Sequence, residues 1–345
     1  MYIKRNFPLG AIMRFSGGHL SYLTVYAVVT VILYEVFNLT WIAIPWLPVS
    51  LVGTAVAFYV GFKNNSSYDR MWEARKIWGA IVNDSRSWGI GVKHFVTNIF
   101  ADAPASDADL QELRKSMLYR HIAWLYTLRL QLLKPTSWEH INAGMHIGKL
   151  ARKRIKTYGL GLLKNDTHES NIGGLLSSED LQKIEEAKNQ ATRLIDLQAA
   201  DLKQLREKGL IDDFRHMELQ KLLNLFYTHQ GKCERIKNYP LPRQYASTSM
   251  VFIALFIFLL PLGMMAEFAK MGEHFVWLTI PFTAIAGWVF IMMELVGDYS
   301  ENPFEGMGND IPMYSLCRTI EIDLRQMLDE TELPPKIAAV NNVLM

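Results

Sequence analysis

The chain has 345 residues, half of them hydrophobic, and its 36 lysine and arginine residues nearly balance 34 aspartate and glutamate residues. A formal net charge of +2 is too small to favour nucleic acid as a partner. The two cysteines, Cys233 and Cys317, cannot build a disulfide framework, and neither lies in a pattern typical of zinc sites. The charges avoid a few long windows and concentrate in the middle of the chain, which excludes an ordinary soluble enzyme.

Four apolar windows are each long enough to cross a membrane as a helix. Such a helix needs about 20 mostly apolar residues, because the hydrocarbon core is about 30 Å thick and each residue rises about 1.5 Å. We therefore predict four transmembrane helices, the first two at about residues 20–39 and 45–62. The windows comprise residues 20–39, 41–62, 246–266 and 275–293, and Glu35 is their only charged residue.

Basic residues indicate the orientation of these spans. Lysine and arginine residues precede the first span, follow the second and precede the third, whereas the connectors at 38–45 and 267–274 contain only Lys270. Because basic flanks mark the cytoplasmic side of a membrane, we predict that both termini and the large central segment are cytoplasmic. The chain is thus expected to be an integral membrane protein, surrounded by lipid.

The central segment has the pattern of a helical domain. Apolar residues recur at helical spacing between residues 110 and 133, and Ser177 with Asp180 is typical of a capping box at the start of another helix. This segment has no strand pattern of any length, so together with the four helical spans it predicts an all-α membrane protein. Its parts are residues 1–78 with the first two spans, the cytosolic helical domain 79–242, the second pair of spans in 243–296, and a C-terminal cytosolic segment 297–345.

The polar residues do not form a recognisable catalytic site. There is no GxSxG or HExxH motif, no phosphate-binding loop and no dinucleotide fingerprint, and the nine histidines are scattered singly. We therefore predict that the protein is not an enzyme and needs no cofactor.

The second span and the residues that follow it carry an unusual polar pattern. Ser50, Thr54 and Phe58 fall at i, i+4 and i+8 on one helical face, and Asn64 and Asn65 open a cluster of four amides and hydroxyls. Small residues are typical of close helix packing, and a helix end with interfacial anchors accounts for the neighbouring aromatic residues. The alternative is a pore wall narrowed by copies of Phe58, with polar groups that replace part of an ion's hydration shell. Four helices enclose no wide pore, so this alternative requires a ring of subunits.

The segment after the fourth span is acidic. Carboxylates near glycines can hold a hard cation such as Ca²⁺, which makes Glu301, Glu305 and Asp310 weak candidates for a metal site. Their spacing is not that of an EF-hand loop. A capped acidic turn that contacts basic residues is the preferred interpretation, and no metal is predicted.

Two strings, GFKNNSSYDRMWEARKIWG at 61–79 and ENPFEGMGNDIPM at 301–313, resemble the bestrophin family in its bacterial branch. The resemblance covers essentially the whole chain in order. It implies a bestrophin-like homopentamer around one axial pore, with a neck formed by the second span and a narrower cytosolic aperture. It also implies a bacterial inner membrane as the location.

The same resemblance implies roles for individual residues. The neck face corresponds to Ser50, Thr54 and Phe58, and Asn64 and Asn65 would ease rehydration at the pore exit. Met217 falls near the aperture, and His216 or Leu219 would serve if the helix register differs. The acidic run that binds calcium in animal members is absent after Asn302-Pro303-Phe304, so calcium activation is not expected.

The leading hypothesis is therefore a pentameric channel for small monovalent ions. Animal members of the family pass anions, whereas bacterial relatives have been associated with monovalent cations, which favours cations slightly and leaves the charge preference open. Two alternatives belong to other classes. The chain could be a membrane-anchored helical scaffold that binds a cytosolic partner, or an alternating-access carrier. For a carrier only Glu35 and Glu294 come close to buried membrane charges, and both lie near span ends, where an interfacial position is expected.

Overall fold

The computed structural model describes residues 1–142, 144, 146–158 and 172–345. In these ranges the chain is helical, and its only β pairings are the isolated bridges of Val343 with Tyr2 and with Val340. The predicted all-α fold is confirmed. Short 3-10 helices lie at Thr40–Ile42, His140–Asn142 and Glu273–Leu278. The described α-helices, numbered here in chain order, are α1 Leu9–Glu35, α2 Trp46–Phe95, α3 Asp107–Leu133, α4 His146–Tyr158, α5 Ser178–Glu185, α6 Gln190–Glu207, α7 Asp213–Asn238, α8 Arg243–Ala269, α9 Thr279–Ser300 and α10 Met313–Met327.

The chain divides into two compact units. Lys4–Arg70 and Pro240–Glu301 form one unit, here called the membrane unit, and Met1–Ile3, Met71–Tyr239 and Asn302–Met345 form the other, here called the helical unit. Four helices, α1, α2, α8 and α9, are long and apolar enough to cross a membrane. Helix α2 contributes to both units, because it continues to Phe95 without a break. Residue 78, a domain limit in the sequence analysis, lies inside it.

Small residues let the helices of the membrane unit approach closely. Helix α9 packs along α1 and α8, and a side chain at Gly53 of α2 would place its Cβ 2.6 Å from the ring of Phe256 on α8. Next to Gly53, Val56 and Val60 are buried in the same apolar cluster as Phe256 and Leu260. One face of α2 is therefore committed to helix packing, as small residues in membrane helices allow.

The helical unit is organised around α3, which packs against α6, α7 and α10. Trp88, His121, Trp124 and Phe226 form a fully buried aromatic cluster at its centre. The Nε2 atom of His121 lies 2.9 Å from the hydroxyl of Ser85, and burial lowers the pKa of this histidine to about 3, so the ring is neutral at physiological pH.

Two helix starts in this unit are capped by serine. Ser106 and Asp109 form a complete capping box on α3. Ser177 caps α5 by accepting a hydrogen bond from the Asp180 amide. The Asp180 carboxylate, however, accepts a hydrogen bond from Arg120 at 2.5 Å. The predicted box is therefore only half formed, because a buried arginine competes for its carboxylate.

Candidate functional site

One face of α2 carries a row of exposed side chains through the membrane unit. Phe58 is 67% exposed and Phe62 is 68% exposed, and Thr54 precedes them by one turn on the same face. The row continues toward the helix start through Leu47 and Leu51, which are also exposed. The row lies opposite the packed valines Val56 and Val60. Each phenylalanine is two positions after one of these valines, and two positions on a helix correspond to a turn of about 200°.

The predicted neck residues fall on this row or at its edge. Thr54 and Phe58 are exposed, whereas Ser50 is half-buried and its hydroxyl donates to the Leu47 carbonyl at 2.8 Å. Thr54 likewise donates to the Ser50 carbonyl at 2.9 Å. Both hydroxyls are thus satisfied by their own helix, while their oxygen lone pairs stay available. Phe62 was not predicted from the sequence, although its position one turn after Phe58 continues the same spacing.

The polar cluster after the second span is divided between two sides of α2. Asn65 is exposed and donates to Asp69 Oδ2 at 3.3 Å. Asn64 is half-buried, and its side-chain amide donates to the Met293 carbonyl on α9 at 2.9 Å. Ser67 is fully buried. Only part of the cluster therefore faces outward, and Asn64 joins two helices.

A charged pair lies buried in the membrane unit next to this cluster. Lys63 on α2 forms an ion pair with Glu294 on α9. The same carboxylate oxygen accepts a hydrogen bond from the hydroxyl of Ser249 on α8 at 2.8 Å. From the sequence, Lys63 belongs to the basic flank of the second span and Glu294 is expected at the interface. Both are instead inside the unit, because each satisfies the other's charge.

In the helical unit, the first turn of α7 exposes two large apolar side chains. Phe214 is 84% exposed and Met217 is 61% exposed, and they are three residues apart on one face. Of the other two aperture candidates, His216 is half-buried and Leu219 is fully buried. Leu219 therefore cannot line a passage. Phe214 was not predicted from the sequence, because its place in the first turn of a helix does not indicate that its side chain is exposed.

The acidic residues after the fourth span accept hydrogen bonds from protein groups. Glu305 binds His140 Nδ1 at 2.8 Å and Asn302 Nδ2 at 2.7 Å, and Asp310 Oδ2 accepts from the amides of Glu305 and Met307, both at 2.9 Å. In the membrane unit, Glu301 pairs with Arg243 at 3.4 Å. These contacts are those of a hydrogen-bonded acidic turn, and we propose no metal site here.

Asp310 makes the stability of this turn depend on pH. Complete burial, and the nearby Glu305 carboxylate, raise the pKa of Asp310 to about 7. The folded state therefore retains a proton that the unfolded chain loses near pH 4. The stabilisation that this proton gives to the folded state is full below about pH 4 and is lost as the pH rises through about 7.

We expect the Asp310→Asn variant to lose this dependence, because its amide keeps an acceptor for the two backbone N–H groups and never ionises. The apparent Tm of the purified protein in detergent, measured from pH 5 to pH 8, should fall less for the variant than for the wild type. Equal slopes for the two proteins would contradict the assignment.

Comparison with known proteins identifies the family and the fold of the chain. Residues 9–326 match the family described as Bacterial/Fungal Bestrophin protein. The voltage-dependent anion channel-forming protein YneE of Escherichia coli K12 is 28% identical over 308 residues, which cover 88% of this chain and 84% of that protein. The voltage-dependent anion channel-forming protein mll4386 of Mesorhizobium japonicum is 27% identical over 304 residues, covering 88% of this chain and 78% of that protein. The crystal structure of a bacterial bestrophin homolog from Klebsiella pneumoniae aligns with a TM-score of 0.72 at 21% identity, covering 91% of this chain and 98% of that one.

Four membrane-spanning helices and an all-α helical unit define this chain as an integral membrane protein. It belongs to the bacterial and fungal bestrophin family, as the two sequence strings indicated. The prediction that the chain is not an enzyme is confirmed by this membership.

Proposed function

We propose that the protein is an ion channel, formed by five copies that place the exposed face of α2 around one axial pore. One observation carries the proposal. The exposed row lies on a helix long enough to cross a membrane. It contains a hydroxyl, two aromatic rings and an amide, at Thr54, Phe58, Phe62 and Asn65 in that order. A face that contacts only lipid has no need of the polar groups in this row. The names of the channel-forming relatives give further support.

The neck of this pore would be narrowest at two aromatic rings. Phe58 and Phe62 would each form a ring of five side chains, and an apolar ring hinders ions because it replaces none of their hydration water. Thr54 would precede these rings, with Ser50 at the edge of the lining, and each hydroxyl would give an ion an oxygen ligand. Asn65 would stand at the exit, whereas Asn64 donates to the Met293 carbonyl and so joins α2 to α9.

A second constriction would lie at the first turn of α7. The exposure of Met217, together with that of Phe214, supports this position over those of His216 and Leu219. Five copies of this turn would form a cytosolic aperture.

The permeant species would be a small monovalent ion. The lining residues of the neck carry no charge, so they select neither sign by themselves. The curated relatives are named as forming anion channels, whereas the slight preference for cations rests on the resemblance alone and stays a prediction. We also propose that calcium does not activate the channel, because the acidic run after Phe304 is missing.

The family resemblance favours a location in a bacterial inner membrane, and the basic flanks of the spans support an orientation with both termini in the cytoplasm. Labelling of single cysteines introduced by Ile3→Cys and Met271→Cys, both at exposed positions, in intact cells and in permeabilised cells, tests this orientation. The outer connector should react in intact cells and the N-terminus only after permeabilisation.

The decisive test is the reversal potential of the purified protein in a planar bilayer under a KCl gradient. We expect an ohmic current whose reversal potential lies toward that of K⁺ or of Cl⁻, and its sign gives the charge preference. Native mass spectrometry of the same sample should find a pentamer. A pentamer without current, or a monomer, would favour the scaffold, and saturable flux would favour the carrier.

A further inference from the structure

The most unusual group in the membrane unit is the buried ion pair between Lys63 and Glu294. Lys63 is only 1% exposed, although it follows the apolar window of α2 directly. Its partner Glu294 is buried on α9, and Ser249 on α8 is fully buried and donates to the same carboxylate. Three membrane helices therefore converge on one pair of charges.

Stability alone gives a poor reason for such a pair. Removing two charges from water carries a penalty that their attraction often fails to offset, and well-packed apolar residues of the same volume can hold helices at least as firmly. Ionisable residues inside membrane segments are rare and are usually functional. A charged pair adds a preference for one relative rotation of the two helices, because the two charges meet in that rotation and are separated in a neighbouring one.

The adjacent residues restrict the same rotation. Asn64 donates to the Met293 carbonyl, and it lies so close to Gly297 that a Cβ there would be 1.9 Å from the Asn64 Oδ1 atom. Only glycine permits this approach. The segment of α2 that carries Lys63 and Asn64 is thus fitted to the last turns of α9 by charge and by shape.

The rotation of α2 that these contacts fix also determines the direction in which the exposed row points. Phe62 is the residue directly before Lys63, and Phe58 lies one turn earlier. Neighbouring side chains on a helix are about 100° apart, and the helix rotates as a unit. Turning Lys63 toward α9 therefore turns the two phenylalanines outward.

We propose that Lys63, Glu294 and Ser249 form a positioning cluster that holds α2 in the rotation presenting Phe58 and Phe62 to the pore. This rests on the proposed channel function and adds a determinant of its gating. When the pair is broken, α2 loses one of the contacts that fix its rotation, the aromatic rings leave the axis for part of the time, and the channel opens more often.

The experiment compares single-channel records of four proteins in planar bilayers, after native mass spectrometry has confirmed that each one assembles like the wild type. Lys63→Met breaks the pair. Lys63→Glu combined with Glu294→Lys restores it with the charges exchanged, and Ser249 can then accept a hydrogen bond from the new lysine. Lys270→Met is the matched control, because Lys270 forms an exposed ion pair with Glu267 in the same unit at 2.7 Å.

We expect Lys63→Met to raise the open probability about fivefold, within the range of coupling energies for residues in contact. The exchanged pair should return it most of the way to the wild-type value, and Lys270→Met should leave it unchanged. Rescue by charge exchange is the readout that a merely structural lysine would not give.

Several results would overturn the proposal. An assembled Lys63→Met channel with wild-type gating would do so, as would an exchanged pair that behaves like the single variant. If Lys63→Met fails to assemble, Ser249→Ala removes only the hydroxyl donor to Glu294 and leaves the ion pair in place, so it should raise the open probability by a smaller factor. An unchanged open probability in that variant counts against the cluster. Absence of current from the wild type itself would instead refute the channel function.

Discussion

Replacing Phe58 by alanine is expected to raise the unitary conductance severalfold. Each substitution in a pentamer removes five aromatic rings from the narrowest part of the proposed neck. The barrier at an apolar constriction arises because an ion gives up hydration water there and gains no ligand in return. A barrier lowered by about 1.4 kcal/mol would increase the rate of passage about tenfold. The double variant Phe58→Ala/Phe62→Ala should exceed either single variant.

The control for this experiment is Phe258→Ala. Phe258 is also exposed in the membrane unit but lies on α8, where its ring stacks on Tyr26. Its removal should leave the conductance unchanged. If Phe58→Ala and Phe62→Ala both conduct like the wild type, the exposed face of α2 does not line the pore.

The transmembrane helices were predictable, because a buried helix of a soluble protein rarely contains a window of about 20 apolar residues. The full length of α2 was not. Its apolar window ends at residue 62, yet the helix continues to Phe95. In the helical unit it is held by buried residues at helical spacing, among them Ala74, Trp78, Ile81 and Trp88. A search for apolar windows misses this part, because its opposite face is polar.

The candidate site was predicted less completely, for reasons of geometry. Asn64 and Asn65 are equivalent in the sequence, but the helix turns about 100° between them. One therefore meets α9 and the other stays exposed. The choice depends on which face of α2 packs, and that is decided by contacts with distant residues such as Phe256. The pairing of Lys63 with Glu294 joins residues 231 positions apart, and neither residue alone indicates its partner.

The buried pair of Lys237 and Glu139 in the helical unit should be the most sensitive ion pair to single substitution. Both side chains are almost fully buried, and besides Lys237 the Glu139 carboxylate accepts the Thr136 amide at 3.0 Å. Burial raises the pKa of Glu139, and the attraction of Lys237 opposes this effect. Breaking such a pair by removing one partner costs about 3–5 kcal/mol, because an uncompensated charge remains inside. That is a large fraction of the stability of a typical domain.

We therefore expect Lys237→Met to lower the apparent Tm of the purified protein by roughly 10 °C at pH 8. Without Lys237 the pKa of Glu139 rises further, so its folded state favours the protonated form. The stability of the variant is then highest at low pH and declines as the pH rises, which makes the deficit smaller at pH 5 than at pH 8. The double variant Lys237→Met/Glu139→Leu should recover most of the loss at both pH values, since no buried charge is left. A double variant as unstable as the single one would show that the lysine contributes through packing of its hydrocarbon stem and not through its charge.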